Sequence, residues 1–305
     1  MSGCTLCPRE CGADRSLVRG LCGCTDEIYV ARIMLHMWEE PSVSGERGSG
    51  AVFFCGCPLG CAFCQNREIS RPAGDGRFIS AARRFTPDEL VREFLNLERQ
   101  GAHNINLVSP TQHTEALIYT VREAKLHGLR IPVVWNTGGY EKADTIRKLK
   151  DTADIFLTDI KFYSHDISSS LSGAGDYFEY AFGCLKEMIN ITGDIKFGED
   201  GMLRSGTVVR HLVLPGCRHD SVSILEKLAQ AGMEKHVLLS LMSQYTPDTF
   251  GGCSDSRLDK FMRRRVTEFE YSCVCDTALK FGFDGYMQDR TSSVCDYIPH
   301  WGFGK

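Results

Sequence analysis

Three cysteines in one short loop constrain this chain more than any other feature. Cys57, Cys61 and Cys64 are spaced C-x3-C-x2-C, with Pro58 and Gly60 between them. Directly before them, Ala51-Val52-Phe53-Phe54 is an apolar run behind a glycine-rich turn, which predicts a buried strand. A loop of this span can turn three thiolates toward one face of a cubane iron–sulfur cluster. A closed [4Fe–4S] site takes four cysteines, so three leave one iron with an open position. Open coordination separates a reactive metal site from a purely structural one. The competing use is a zinc knuckle, but knuckles are built from C-x2-C pairs, and three thiolates do not complete a tetrahedral site. Phe63, just before the third cysteine, supplies an aromatic ring beside such a cluster. Cys55 shares a strand face with Cys57, but closing the cube with it would remove the open iron. It reads as a packed residue at the strand end.

A chain of 305 residues has room for one large α/β barrel with a small appendage, or for two ordinary domains. Its net charge is −4 and no basic run breaks the acidic balance, so it carries no electrostatic footprint for nucleic acid. Arg263-Arg264-Arg265 is flanked by Asp259, Glu268 and Glu270 and reads as the solvated face of a helix. The opening MSGCTLCPRE has no apolar core of signal-peptide length, and no run approaches a membrane span. A cytoplasmic location without membrane contact is therefore expected. There, 15 cysteines point to metal or thiol chemistry and not to a disulfide framework.

Five of those cysteines fall in the first 24 residues. Cys4, Cys7 and Cys11, followed by Cys22 or Cys24, offer four ligands for a tetrahedral metal site. The stretch is too short and too poor in apolar residues to fold around a core. A metal, with zinc the first expectation, would supply its folding energy. Without one it would be a reduced, loosely ordered arm. The expected division is a Cys-rich segment with a rim strand over 1–48 and the main domain over 49–305.

Residues 28–38 read as the rim strand, with His36 a packing residue in preference to a ligand. Glu39-Glu40-Pro41 ends it, and the glycine-rich stretch 45–50 turns the chain into the cluster strand. Thereafter strands and helices alternate. Thr86-Pro87-Asp88-Glu89 is a capping box with proline at the first helical position, opening a helix that runs to Gly101. Further strands are predicted at 104–108, 131–135, 154–158, 207–214 and 236–241, with a last short one near Tyr286. Helices are predicted at 114–127, 141–150, 177–191 and 221–231, and one long helix at 257–281. About six β/α units imply a parallel sheet and a partial (β/α)6 TIM-like barrel.

In such a fold chemistry collects at the carboxyl ends of the strands. Those ends carry, in order, the cluster loop, Ser109-Pro110-Thr111-Gln112-His113, Asn136-Thr137-Gly138-Gly139, Asp159 with Lys161, Arg210 with His211, and Ser243-Gln244-Tyr245. Six polar strand ends behind apolar strand bodies outline a site. Arg210 and His211 point to opposite sides of their strand, so only one of them can face it.

With these residues in view, the chain resembles the radical S-adenosylmethionine proteins related to pyruvate formate-lyase activating enzyme. More narrowly, it is similar to the branch that begins with a C-x-L-C-P-R-x-C segment. The matching stretches are CTLCPRECGADR, EEPSVSGERGSGAVFFCGCPLGCAFCQNREIS, INLVSPTQHTEAL, PVVWNTGGYE, DIFLTDIKF, VVRHLVLPG and LLSLMSQYTP. They run from residue 4 to about 247, about four-fifths of the chain. The resemblance implies a [4Fe–4S] cluster on Cys57, Cys61 and Cys64, reduced by a donor of flavodoxin or ferredoxin type, with S-adenosylmethionine chelated to the open iron. It implies reductive cleavage to a 5′-deoxyadenosyl radical that abstracts hydrogen from a substrate. Phe63 would lie against adenine. Ser109, Pro110 and Thr111 occupy the place of a Gly-Gly-Glu element beside the methionine amino group. Asn136, Asp159, Lys161 and Arg210 fit polar contacts to ribose and to the methionine carboxylate. Within the amino-terminal segment Cys22 matches the family better than Cys24. Two departures are Cys55, where the branch has serine, and the additional residue in SPTQH.

Three functions stay open at this point: an activating enzyme that takes hydrogen from a backbone glycine of a partner glycyl radical enzyme, a radical enzyme acting on a small molecule or another peptide, and a non-catalytic iron–sulfur or zinc protein. The ordered polar strand ends count against the last. Cys184, Cys217, Cys253, Cys273, Cys275 and Cys295 show no tight four-ligand spacing for an auxiliary cluster.

Overall fold

The computed structural model describes residues 3–71 and 82–288; Cys295 lies outside them. The strands are β1 (Ile28–His36), β2 (Ser49–Phe54), β3 (Arg83–Phe85), β4 (Ile105–Val108), β5 (Val133–Thr137), β6 (Ile155–Asp159), β7 (Lys196–Phe197), β8 (Leu203–Leu212), β9 (Val237–Met242) and β10 (Gly285–Met287). The helices are α1 (Pro41–Ser44), α2 (Arg67–Ser70), α3 (Pro87–Arg99), α4 (Thr114–Leu126), α5 (Ala143–Arg147), α6 (His165–Ser172), α7 (Tyr177–Thr192), α8 (Arg218–Gln230), α9 (Ser256–Met262) and α10 (Glu268–Phe281).

Strands β2, β4, β5, β6, β8, β9 and β10 lie side by side and run parallel. The rim strand β1 adds antiparallel to β2, β3 adds to β1, and β7 pairs antiparallel with β8. The fold is thus mixed α/β around a parallel-rich sheet. Among the described residues the sheet is open, with edges at β10 and β3.

Helix starts follow local chemistry. Thr86 accepts the Glu89 N–H while the Glu89 side chain takes the Thr86 N–H, and Pro87 occupies the first turn. The single long helix expected at 257–281 is instead two, α9 and α10. Thr267 and Glu270 form a second capping box, which starts a new helix inside the predicted one. The arginine triplet falls in the intervening link, where Arg264 pairs with Glu270 at 2.7 Å and Arg263 with Asp259 at 2.8 Å.

The period-two alternation of strand side chains decides where the site forms. On one face, Val133, Trp135, Phe156, Val209, Leu239 and Leu241 are buried with apolar residues of α4, α7, α8 and α10. On the other, Val134, Leu157, Val208 and Leu238 form an apolar floor closed by Val43 of α1. Two residues further along the same four strands come Asn136, Asp159, Arg210 and Ser240. The second face therefore changes from apolar to polar toward the carboxyl ends of the strands.

Candidate active site

Those four residues line a cavity of about 330 Å3. Cys57, Cys61 and Cys64 line it too, together with Phe63, Ser109 and Lys161. The cysteine loop is fixed by its own backbone, with Cys64 N–H donating to the Cys61 carbonyl at 3.1 Å and Ala62 N–H to Leu171 of α6 at 2.7 Å. Burial pushes the Cys57 thiol up to about 11 and the Cys61 thiol to about 12. Phe63 is buried, edge-on to Phe162 at 6.0 Å and to Tyr245 at 6.3 Å. Cys55 is fully buried in a separate apolar cluster behind Ala51 and Phe53.

Charge on the cavity wall is paired. Asp159 and Lys161 form an ion pair. Burial opposes the Lys161 charge, but Asp159 and the neighbouring thiols outweigh it and raise its pKa. Arg210 donates Nε to Glu40 Oε1 at 2.7 Å and Nη2 to Glu40 Oε2 at 2.6 Å, and also pairs with Glu39. Asp159, Arg210 and Ser240 are register neighbours on β6, β8 and β9. His211 turns the other way, as alternation requires. It is buried between the Ile160 carbonyl at 2.6 Å and the Ser221 hydroxyl at 2.8 Å.

The strand ends are held by residues whose roles the sequence does not announce. Gln112 Nε2 reaches the carbonyls of Cys55 (2.8 Å), Gly56 (3.1 Å) and Ser109 (2.7 Å), tying the second strand end to the cluster loop. Ser109 has a φ of 56°, a left-handed conformation that costs a non-glycine residue of order 1–3 kcal/mol and is kept where surrounding structure enforces it. Tyr177 bridges β5 and β6: its hydroxyl lies 2.9 Å from the Gly138 carbonyl and 2.8 Å from that of Asp159, and accepts the Lys161 N–H at 3.0 Å. Gly56 has positive φ, and a Cβ there would strike Cys24 Sγ. Glu39 and Glu40 are charged residues just past β1, a sequence signal available in advance, but their partner lies about 170 positions away.

Pro110 and Thr111 are not in this cavity. A short 3-10 turn, Thr111–His113, carries Thr111 to a second, smaller space, and its hydroxyl donates to Glu141. Cys4, Cys7, Cys11 and Cys22 line that second space. Cys24 does not; it is fully buried and its thiol donates to the Cys55 carbonyl at 3.2 Å. The amino-terminal segment is docked, with Arg9 donating to Pro58 of the cluster loop at 2.9 Å and Cys57 N–H to the Cys22 carbonyl at 3.1 Å. Among the described residues no three His, Cys, Asp or Glu side chains close on a single-ion position, so the expected zinc finds no support in the geometry.

The model of the Radical SAM superfamily matches residues 51–203, from the cluster strand through β6 and into the start of β8. An uncharacterized protein of Methanocaldococcus jannaschii is 26% identical over 287 residues, 92% of this chain and 75% of that one. The structure of SuiB from Streptococcus suis bound to S-adenosylmethionine superposes with a TM-score of 0.44 at 12% identity, covering 76% of this chain and 48% of SuiB. A second SuiB structure gives 0.41 at 13% identity, with 79% and 48% covered. The chain thus spans about half the length of SuiB. Matched by that family model over about half its residues, the chain belongs to the Radical SAM superfamily.

Proposed function

We propose that this chain is a radical S-adenosylmethionine enzyme of the branch related to pyruvate formate-lyase activating enzyme, and that its parallel sheet is a partial (β/α)6 barrel preceded by an amino-terminal unit over 1–48. The observation that carries the reading is one cavity shared by Cys57, Cys61, Cys64 and the Asp159–Lys161 pair. Family membership implies a [4Fe–4S] cluster and S-adenosylmethionine, and the donor set suits both. Three thiols from one loop supply sulfur ligands, and the polar strand ends that line the same cavity supply oxygen and nitrogen groups for an amino-acid headgroup.

Cys57, Cys61 and Cys64 would hold the cluster, their buried thiols giving up protons on ligation. A reduced cluster held there would supply the electron for reductive cleavage of S-adenosylmethionine, the chemistry that would remove hydrogen from a substrate. Lys161 holds the methionine carboxylate, a point charge suited to that group. Asp159 keeps the ammonium in place, and Asn136 and Ser109 offer polar contacts beside it. Phe63 covers the adenine and, with Leu59, keeps water from the reacting end. The substrate we favour, on the resemblance of the strand-end segments, is a backbone glycine of a partner glycyl radical enzyme. The electron comes from a donor of flavodoxin or ferredoxin type. A reducing, cytoplasmic setting agrees with cysteines that are all unpaired among the described residues.

Anaerobic reconstitution with iron and sulfide, followed by reduction, should yield 5′-deoxyadenosine and methionine, and Cys61→Ala should yield neither. A fully reconstituted, reduced wild-type protein that forms no deoxyadenosine overturns the reading. Transfer of a radical to a glycyl radical partner, read by electron paramagnetic resonance, separates the glycine substrate from a small molecule or another peptide.

A further inference from the structure

We propose that Cys4, Cys7, Cys11 and Cys22 hold a second iron–sulfur cluster, closed by four thiolates, which passes electrons to the site at Cys57, Cys61 and Cys64. The cluster itself is argued from these residues alone; its role as a relay rests on the function proposed above.

Cys4, Cys7, Cys11 and Cys22 all line one space of about 20 Å3. That exceeds the roughly 10–15 Å3 that admits a water molecule, whereas four thiolates closed on one zinc at about 2.3 Å leave no such room. At Gly20 a Cβ would sit 3.2 Å from Cys11 Sγ and 3.5 Å from Cys22 Sγ, so both thiols reach the same spot beside that glycine. Among the described residues Cys57, Cys61 and Cys64 likewise do not close on a single-ion position. Thiols that converge on a common space without closing on a point suit a polynuclear centre.

Polar atoms around this space add an independent observation. Arg15 Nε, a donor, and Gln112 Oε1, an acceptor that sulfur does not serve, are buried without a hydrogen-bond partner, and both residues line it. Burying an N–H without an acceptor is costly, so an acceptor is expected beside it. Cluster and thiolate sulfurs are acceptors for such a donor, and hydrogen bonds to sulfur tune cluster potential. Arg9, also on the wall, adds a second cation, which balances the negative charge of a four-thiolate cluster.

The two cysteine groups share a wall. Cys57 N–H donates to the Cys22 carbonyl at 3.1 Å, and Pro58 of the cluster loop lines the second space. In the relay, one electron from a low-potential donor reduces the amino-terminal cluster. The same electron then moves to the cluster on the loop, with no bond made or broken and no proton transferred.

The test uses the full chain, reconstituted anaerobically without added zinc, with iron, sulfide and zinc counted per chain. A four-iron centre at each group predicts about eight iron in the wild type and about four in Cys7→Ser and in Cys61→Ser. Cys24→Ser, altered outside the second space, should keep the wild-type iron. Each cluster-deficient variant should retain the electron paramagnetic resonance signal of the other site. About four iron with one zinc in the wild type, or full iron in Cys7→Ser, overturns the proposal, and the wild-type count decides even if Cys7→Ser fails to fold. Loss of most of the rate at which reduced flavodoxin reduces the remaining cluster of Cys7→Ser supports the relay; an unchanged rate overturns it. Two clusters without deoxyadenosine formation would sink the enzyme reading and leave the second cluster standing.

Discussion

Arg210 and Glu40 are about 170 positions apart in sequence and meet as a fork, with Nε and Nη2 of the guanidinium on the two carboxylate oxygens at 2.7 and 2.6 Å. Glu39 pairs with the same Nη2. The segment that follows the rim strand is thereby locked to the middle of the parallel sheet, at the wall of the candidate site's cavity.

Removing the guanidinium strands a buried carboxylate. Burial alone would raise the Glu40 pKa, but the attraction of Arg210 overrides it and holds the group below its usual range. Breaking such a pair from one side costs about 3–5 kcal/mol. Arg210→Ala should lose about that much in urea unfolding, and Arg210→Ala combined with Glu40→Gln should recover part of it, because one of the two carboxylates left without their cation is then neutral. A single variant as stable as wild type would show that the pair contributes no net stability.

Lys161→Ala tests the other ion pair on the wall. The ammonium is held beside Asp159 and its main-chain N–H is donated to Tyr177, so the side chain can be cut back while the loop stays anchored. Losing a charge-assisted contact to the methionine carboxylate should weaken S-adenosylmethionine binding by about 1.5–3 kcal/mol. Equilibrium binding to the reconstituted protein measures it, and unchanged affinity would move the carboxylate contact elsewhere.

Period-two patterning and turn chemistry made the strand ends legible: Asn136, Asp159, Lys161, Arg210 and the cysteine loop share one cavity, and the Thr86–Glu89 box starts its helix as read. What failed to show in the sequence depends on distance or on direction. Glu39 and Glu40 look like an ordinary strand terminator until β8 brings Arg210 to them. Gln112, which the pattern of the resembled branch leaves without a role, braces three carbonyls of two loops. Thr111 sits where the pattern expects it along the chain, but a tight turn rotates its side chain toward Glu141. The break between α9 and α10 was available in Thr267-Glu268-Phe269-Glu270. It was masked by helical periodicity on both sides.

His211 gives the fold a dependence on pH. The Ile160 carbonyl can only accept, so Nδ1 carries the proton and Nε2 accepts from the Ser221 hydroxyl. The neutral ring is thus satisfied on both sides, and burial pushes its pKa down to about 4. An unfolded histidine titrates near ~6.5. Between these values the unfolded chain binds a proton that the folded chain refuses, so stability is full above about pH 6.5 and falls as the pH drops toward 4, by about 3 kcal/mol in all. His113, pushed down to about 3 by burial, acts in the same direction. Glu141, raised by burial, acts in the opposite one, so the decisive quantity is a difference of slopes. Urea unfolding from pH 7 to pH 5 should give a shallower stability slope in His211→Asn than in wild type. The difference should approach ~1.4 kcal/mol per pH unit, the effect of one proton. Equal slopes would mean that the ring is protonated in the folded protein and that Ser221 is not its donor.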